Sequence, residues 1–127
     1  MVSIRQPAVA GSFYPDHSDQ LSADVAGFLA TAQAELKAGA PVPKAIVAPH
    51  AGYVYSGATA ARAYARLKPA AATITRVILL GPCHRVALNG LALSSAEVFS
   101  TPLGSIPLDR EAASAIADLP QVQVFDA

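Results

Sequence analysis

Two apolar runs that each end near a proline and a histidine place the tightest constraint on the fold of this chain. The first lies in residues 44–57, KAIVAPHAGYVYSG, and the second in residues 76–84, RVILLGPCH. In each, four or five apolar or β-branched residues predict a buried strand. Proline disfavours a helix at its own position and before it. We therefore expect His50 and His84 just past the ends of two strands.

The residues between the two histidines predict a helix that completes a βαβ unit. Residues 56–68, SGATAARAYARLK, place alanines on one helical face with Ser56 as the N-cap. Strand, helix and strand then have the usual size of such a unit. Its right-handed crossover makes the strands, near 45–48 and 76–80, parallel and brings both histidines to one sheet edge, where open α/β sheets bind ligands. Neighbouring strands lie about 4.8 Å apart, so two imidazoles could share a metal ion.

Shorter elements are expected on either side of this unit. Residues 3–14 are interpreted as an extended arm ending in a glycine-containing turn. Apolar residues at helical spacing then predict a helix opened at residues 15–18, with Asp16 or Ser18 as its N-cap. Further along, the pattern predicts strands at 91–98, 105–108 and 121–125, and a helix at 110–119 capped by Asp109.

Composition narrows the classes of protein to consider. The chain has 127 residues, enough for one domain with a real core. The chain is 53% hydrophobic and 14% charged, and this excess of apolar residues predicts a surface that a partner covers. Nine basic and nine acidic residues balance with no basic stripe, so neither nucleic acid nor an anionic membrane is expected as a partner.

Cysteine content and the N-terminal sequence bear on the cellular compartment. A single cysteine rules out an internal disulfide framework and fits a reducing compartment. The first residues lack the charged leader and long apolar stretch of a signal peptide. No run reaches the ~20 apolar residues of a membrane span. The expected location is the cytoplasm.

His50 and His84 are the candidate catalytic or metal-binding residues, and Tyr53 and Tyr55 are candidates to line a pocket beside them. The alternative for each histidine is a loop side chain bonded to backbone, and the two tyrosines could simply pack. Zinc takes about four ligands, and iron commonly takes two histidines and a carboxylate. No third ligand is evident in the sequence.

His17 and Cys83 are of residue types that often have a functional role, but their sequence context argues against one. His17 lies among Asp16, Ser18 and Asp19 at a helix start, so we interpret it as a solvated histidine of the cap region. Cys83 precedes His84 directly, and adjacent side chains in an extended segment point to opposite sides. A Cys-His nucleophile pair is therefore not expected.

Four motifs in combination resemble the Memo family, whose bacterial and archaeal members include the AmmeMemoRadiSam system protein B. They are VAGSFYP at 9–15, APHAGYVYSG at 48–57, ILLGPCH at 78–84 and STPLGSIPLD at 100–109. The resemblance implies an α/β fold, a three-layer sandwich with a mixed, partly parallel sheet between helices, as in class III extradiol dioxygenases. It implies that His50 and His84 are metal ligands, with iron the first expectation and copper or zinc the next.

The resemblance also bears on domain boundaries and function. Memo-like proteins are longer and carry further site motifs, so residues 1–127 would be the N-terminal portion of a single domain, incomplete at the C-terminus and inactive alone. Self-association, or association with the missing C-terminal half, is expected. For the intact protein the resemblance implies iron- or copper-dependent redox or ring-cleaving, dioxygenase-like activity. The alternative is a non-enzymatic scaffold that binds peptides or proteins. Radical SAM and AMMECR-type proteins are the implied partners.

Overall fold

The computed structural model describes residues 1–126 and contains both helices and strands. The chain divides into two compact units. One is Ala8–Thr75, and the other joins Met1–Pro7 to the residues from Arg76 onward. The expected α/β class is confirmed, while the extent of a single family domain stays a prediction.

The unit Ala8–Thr75 is built from two packed helices. Helix α1 spans Ser18–Ala34, helix α2 spans Tyr53–Tyr64, and a 3-10 helix follows at Ala65–Ala70. Their contact is centred on three buried alanines, against which larger side chains pack: Ala32, Ala61 and Ala65, with Phe28, Leu29 and Leu36 around them. Alanines allow helices to approach closely, because interaxial distance depends on the side chains at the contact.

The helix starts differ from their predicted caps. Helix α1 has His17 as its N-cap residue, without a side-chain cap hydrogen bond, so Asp16 and Ser18 were wrong as caps. The N-cap of helix α2 is Gly52, four residues before the predicted cap Ser56. Ser56 lies inside the first turn, where its hydroxyl donates to the carbonyl of Ala51 at 2.8 Å. In an N-cap the side-chain oxygen accepts from a helix amide, whereas the Ser56 hydroxyl donates backward to a carbonyl.

The second unit holds two small sheets. Strands β1 (Ile4–Arg5), β3 (Val98–Thr101) and β4 (Gly104–Pro107) form one of them, with β1 parallel and β4 antiparallel to β3. Strands β2 and β5 form the other as a parallel pair, Leu91–Leu93 with Val122–Val124. The expected mixed, partly parallel sheet is confirmed. The run predicted as one strand at 91–98 is divided between β2 and the start of β3.

Local contacts explain two positions in this unit. Helix α3 (Arg110–Ile116) begins after Asp109, whose carboxylate accepts from the amide of Ala112 at 2.9 Å, so the predicted N-cap is confirmed. Gly90 has a φ of +110°, and a Cβ there would collide with the carbonyl oxygen of Gln121. Glycine is therefore required where the chain enters β2 beside β5.

Two predicted strands do not form. Residues 45–48 and 76–80 adopt neither strand nor helix, and residues 77–80 are between 76% and 83% exposed. A strand requires the backbone groups of a neighbour, and an apolar run alone does not supply one. The βαβ unit is therefore wrong apart from its helix α2, and the sheet edge expected to join His50 and His84 is absent from residues 1–126.

Candidate functional site

An apolar pocket of about 470 Å³ opens within the unit Ala8–Thr75. Its walls come from α1, α2, the arm before α1 and the loop before α2. Five aromatic rings and one imidazole contribute to the lining beside smaller apolar residues: Phe13, Tyr14, Phe28, Tyr53, Tyr64 and His50. A pocket of this volume, apolar with a few polar groups, has the character of a small-ligand site.

His50 is held at this pocket by the loop that leads into α2. The residue before Gly52 and the residue after it anchor that loop. The carbonyl of Ala51 accepts from the Ser56 hydroxyl, and the amide of Tyr53 donates to the carbonyl of Phe13 at 2.7 Å. The backbone that follows His50 is thus tied both to α2 and to the arm.

The arm itself forms a compact turn that delivers two aromatic side chains to the pocket. The amide of Gly11 donates to the Tyr14 carbonyl at 2.8 Å, and the amide of Phe13 donates to the Val9 carbonyl at 2.9 Å. The glycine-containing turn expected here is confirmed. The pocket role of Phe13 and Tyr14 was not predicted, although both lie in the VAGSFYP motif that signalled the family.

Tyr53 sits between two other aromatic rings. Its ring centroid lies 5.8 Å from that of Tyr14 and 6.2 Å from that of Phe28, the latter edge-on at 83°. Burial raises the pKa of the Tyr53 hydroxyl above its ordinary value, and the neighbouring Tyr14 and Tyr64 raise that pKa further. The Tyr53 phenol therefore stays protonated at neutral pH and can donate a hydrogen bond.

One wall of the pocket depends on a glycine in α2. A Cβ at Gly57 would lie 2.8 Å from Cε2 of Phe28, too close for ordinary packing. The missing side chain lets the Phe28 ring of α1 rest against α2. An isolated glycine in a helical pattern is the sequence signal that could have indicated this contact.

The remaining candidates lie elsewhere. His84 and Cys83 belong to the other compact unit, in an exposed stretch before β2. Tyr55 is 86% exposed and is not among the residues that line this pocket. His17 is exposed at the start of α1, as its interpretation as a solvated cap-region residue required. The functional roles of His50, His84, Tyr53 and Tyr55 stay predictions.

Within residues 1–126, no group of three or more His, Cys, Asp or Glu side chains is placed to hold a metal ion. None of the helices in that part of the chain is long and apolar enough to cross a membrane.

Comparison with known proteins decides the family. A family model described as "Memo-like protein" matches residues 5–127. This chain belongs to the Memo family. The PHAGY sequence that carries His50 and the GPCH sequence that carries His84 both lie inside the matched region of this Memo-family chain.

Relatives of the Memo-family chain come from animals and bacteria. It is 43% identical to Protein MEMO1 of Danio rerio over 123 residues, which are 96% of the chain and 38% of that protein. It is 40% identical to human Protein MEMO1 over 111 residues, 87% of the chain and 35% of that protein. Over 117 residues it is 36% identical to a MEMO1 family protein of Aquifex aeolicus, 92% of the chain and 41% of that protein. The chain thus spans well under half the length of these relatives.

Proposed function

We propose that this chain supplies two histidine ligands, His50 and His84, to a divalent metal site in a Memo-family protein. The observation that carries the proposal is the position of His50 on an apolar, aromatic-lined pocket of about 470 Å³. Neutral imidazole is a ligand that iron, copper and zinc all accept. Iron is the metal we expect first, with copper or zinc next.

The donor set available within residues 1–126 fits part of such a site. Two imidazoles provide half of a tetrahedral shell, and within the described residues no group of three or more His, Cys, Asp or Glu side chains is placed to hold a metal ion. We therefore propose that the other ligands belong to the portion of the relatives' length that this chain does not match. A bound metal would supply Lewis-acid or redox chemistry to an organic substrate, as in dioxygenase-like sites.

The pocket residues have separate tasks in this proposal. The aromatic walls exclude water and accept a flat or apolar substrate. The protonated hydroxyl of Tyr53 donates a hydrogen bond to an oxygen atom of that substrate, because burial keeps its pKa high. His50 either binds the metal or transfers a proton at the pocket wall.

Metal analysis of histidine variants tests the assignment. In a version continued to the length of the relatives, His50→Ala and His84→Ala should each abolish stoichiometric iron, copper or zinc. His17→Ala is the matched control, since His17 is exposed at the start of α1 and should leave the metal content unchanged. Undiminished metal in the double variant of His50 and His84 would contradict the assignment.

A non-enzymatic scaffold is the second candidate function, and the aromatic lining of the pocket favours it. An apolar pocket with few polar groups can bind an aromatic side chain of a peptide without any metal. Catechol turnover by the metal-loaded protein would support the enzyme. Peptide binding that survives His50→Ala and metal removal would support the scaffold. Radical SAM and AMMECR-type proteins are the partners we propose to test first.

We also propose a cytoplasmic location. The only cysteine of the sequence, Cys83, has an exposed thiol. A single exposed thiol suits a reducing compartment, where it is not driven toward intermolecular disulfides. Fractionation of cells that express the tagged protein would test this location.

A further inference from the structure

The side chains that line the aromatic pocket carry little charge. No Lys, Arg, Asp or Glu is found among the described residues that line it, and the polar side chains there are one imidazole, one serine and three tyrosines. A charged ligand group that enters such a site loses its hydration without gaining a partner charge. The lining therefore favours a ligand without a charged substituent.

The hydrogen-bonding groups of the lining support the same preference. The Ser56 hydroxyl already donates to the carbonyl of Ala51 at 2.8 Å, so its proton is engaged inside the protein. Burial raises the pKa of the Tyr53 hydroxyl, and Tyr14 and Tyr64 raise that pKa further. Surroundings that disfavour a phenolate at Tyr53 also disfavour a carboxylate on a ligand beside it.

The volume of the pocket indicates the size of the ligand. An apolar cavity of about 150 Å³ holds benzene, and this pocket has about 470 Å³. Two fused rings with small substituents therefore fit, and they can pack edge-on or offset against the rings of Tyr53 and Phe28. A single ring would leave more of the apolar lining in contact with water.

We infer that this pocket takes a small molecule with two fused aromatic rings and no charged substituent, and that it discriminates against the same ring system carrying a carboxylate. This ligand class rests on the proposed role of the pocket as a ligand site, but it does not require the metal. Aromatic rings also attract cations. However, no carboxylate among the described lining residues would balance a cation.

Titration calorimetry of the metal-free 127-residue chain at neutral pH tests both the charge and the size of the ligand. Hydroxynaphthamide and hydroxynaphthoate with the same substitution pattern have nearly the same shape and differ by one charge. The carboxamide should bind about tenfold or more tightly than the carboxylate, because the carboxylate finds no partner. Naphthol should bind about tenfold more tightly than phenol, because its second ring buries more apolar area.

Two valine-to-lysine variants test whether the lining sets the charge preference. Val25 is a half-buried residue of α1 that lines the pocket. Val54 is 92% exposed in α2 and is not among the described lining residues. Val25→Lys should improve binding of the carboxylate relative to the carboxamide about tenfold or more, because an ammonium group at the pocket wall can pair with it. Val54→Lys adds the same charge outside the pocket and should keep the ratio of the parent chain.

Circular dichroism of both variants checks that they fold. If Val25→Lys does not fold, the comparison of carboxamide with carboxylate in the parent chain still decides the charge preference. Equal affinities for these two probes, or tighter binding of the carboxylate, would overturn it. Equal affinities for naphthol and phenol would overturn the assigned size.

Three further outcomes would assign the pocket differently. Tighter binding of a quaternary ammonium derivative of the same rings would make it a cation site. Tighter binding of a capped tripeptide with a central tryptophan would make a protein side chain the ligand. If no probe binds, the pocket is not a ligand site, yet the assignment of His50 and His84 stands, because metal content tests that assignment separately. Conversely, undiminished metal in the double histidine variant would leave the affinities for these probes unchanged.

Discussion

Gly57 and Gly27 form a matched pair that tests the packing of the pocket wall. Both glycines lie inside helices, Gly57 in α2 and Gly27 in α1. A Cβ at Gly57 would meet the Phe28 ring at 2.8 Å, whereas a Cβ at Gly27 would meet nothing within 4 Å. The same substitution by alanine therefore adds a methyl group to a tight contact in one case and to open space in the other.

The expected effects differ in sign. Alanine in place of glycine inside a helix stabilises by about 0.5–1 kcal/mol, and Gly27→Ala should show this gain. At Gly57 the same gain is opposed by overpacking, which typically costs about 1–3 kcal/mol. Because the atoms met belong to the far end of a side chain, Phe28 can shift in part. We expect Gly57→Ala to destabilise by about 0–2 kcal/mol, so the two variants should differ by about 0.5–3 kcal/mol.

Urea unfolding followed by far-UV circular dichroism measures this difference for both variants and the parent chain. Repeating the pair in a Phe28→Leu background provides the control, since the shorter side chain no longer reaches the new methyl group. The gap between the variants should then shrink toward zero. Equal stabilisation by Gly27→Ala and Gly57→Ala in the parent chain would refute the close contact between α2 and Phe28.

Three further predictions follow from side-chain hydrogen bonds and burial. The hydrogen bond from the Ala112 amide lowers the pKa of Asp109 below 3.8. The Asp109 carboxylate therefore stabilises the fold above about pH 3.8, and this stabilisation is lost as the pH falls through the lower folded pKa. In Asp109→Ala, the free energy of unfolding should depend less on pH in this acid range. Ser56→Ala should destabilise by about 0.5–1.5 kcal/mol through loss of the bond to the Ala51 carbonyl, measured by urea unfolding against exposed Ser22→Ala. Because the pKa of Tyr53 is raised, the contribution of its phenol to stability is constant below about pH 10 and is lost as the pH rises above that value. Tyr53→Phe should reduce that alkaline loss in thermal melts.

Elements that depend on local signals were the ones the sequence predicted well. Apolar spacing identified α1 and α2, and Asp109 was recognised as the cap of α3. The cap of α2 was missed because Ser56 has the right side chain for a cap but uses its hydroxyl to bond the Ala51 carbonyl. Residue type alone does not decide between these two hydrogen bonds.

Predicted strands failed where they depended on a partner. Residues 77–80 have the composition of a buried strand, yet burial requires neighbours that the pattern of one segment cannot specify. The pairing of β2 with β5 was likewise not predicted, although residues 121–125 were recognised as a strand. The hydrophobic periodicity of a segment indicates which of its side chains would be buried. Which strand it pairs with depends on the rest of the chain.

The roles of the candidate site residues stay predictions, but the sequence did identify part of the pocket lining. His50 and Tyr53 were chosen from the sequence, and both line the pocket. Phe13 and Phe28 were not chosen, because aromatic residues distant in sequence give no sign that they converge. Their convergence results from the packing of α1 on α2 and from the hydrogen bond between the Tyr53 amide and the Phe13 carbonyl.

The two sides of the pocket are held by different parts of the chain. The loop that carries His50 is anchored by the arm and by Ser56, while the wall formed by Phe28 and Val25 comes from α1. Since additivity holds best for sites without shared partners, substitutions at Val25 can reshape the cavity while the imidazole keeps its position. In the proposed site, the shape of the cavity and the position of the imidazole could therefore change separately, because α1 sets the first and the anchored loop sets the second.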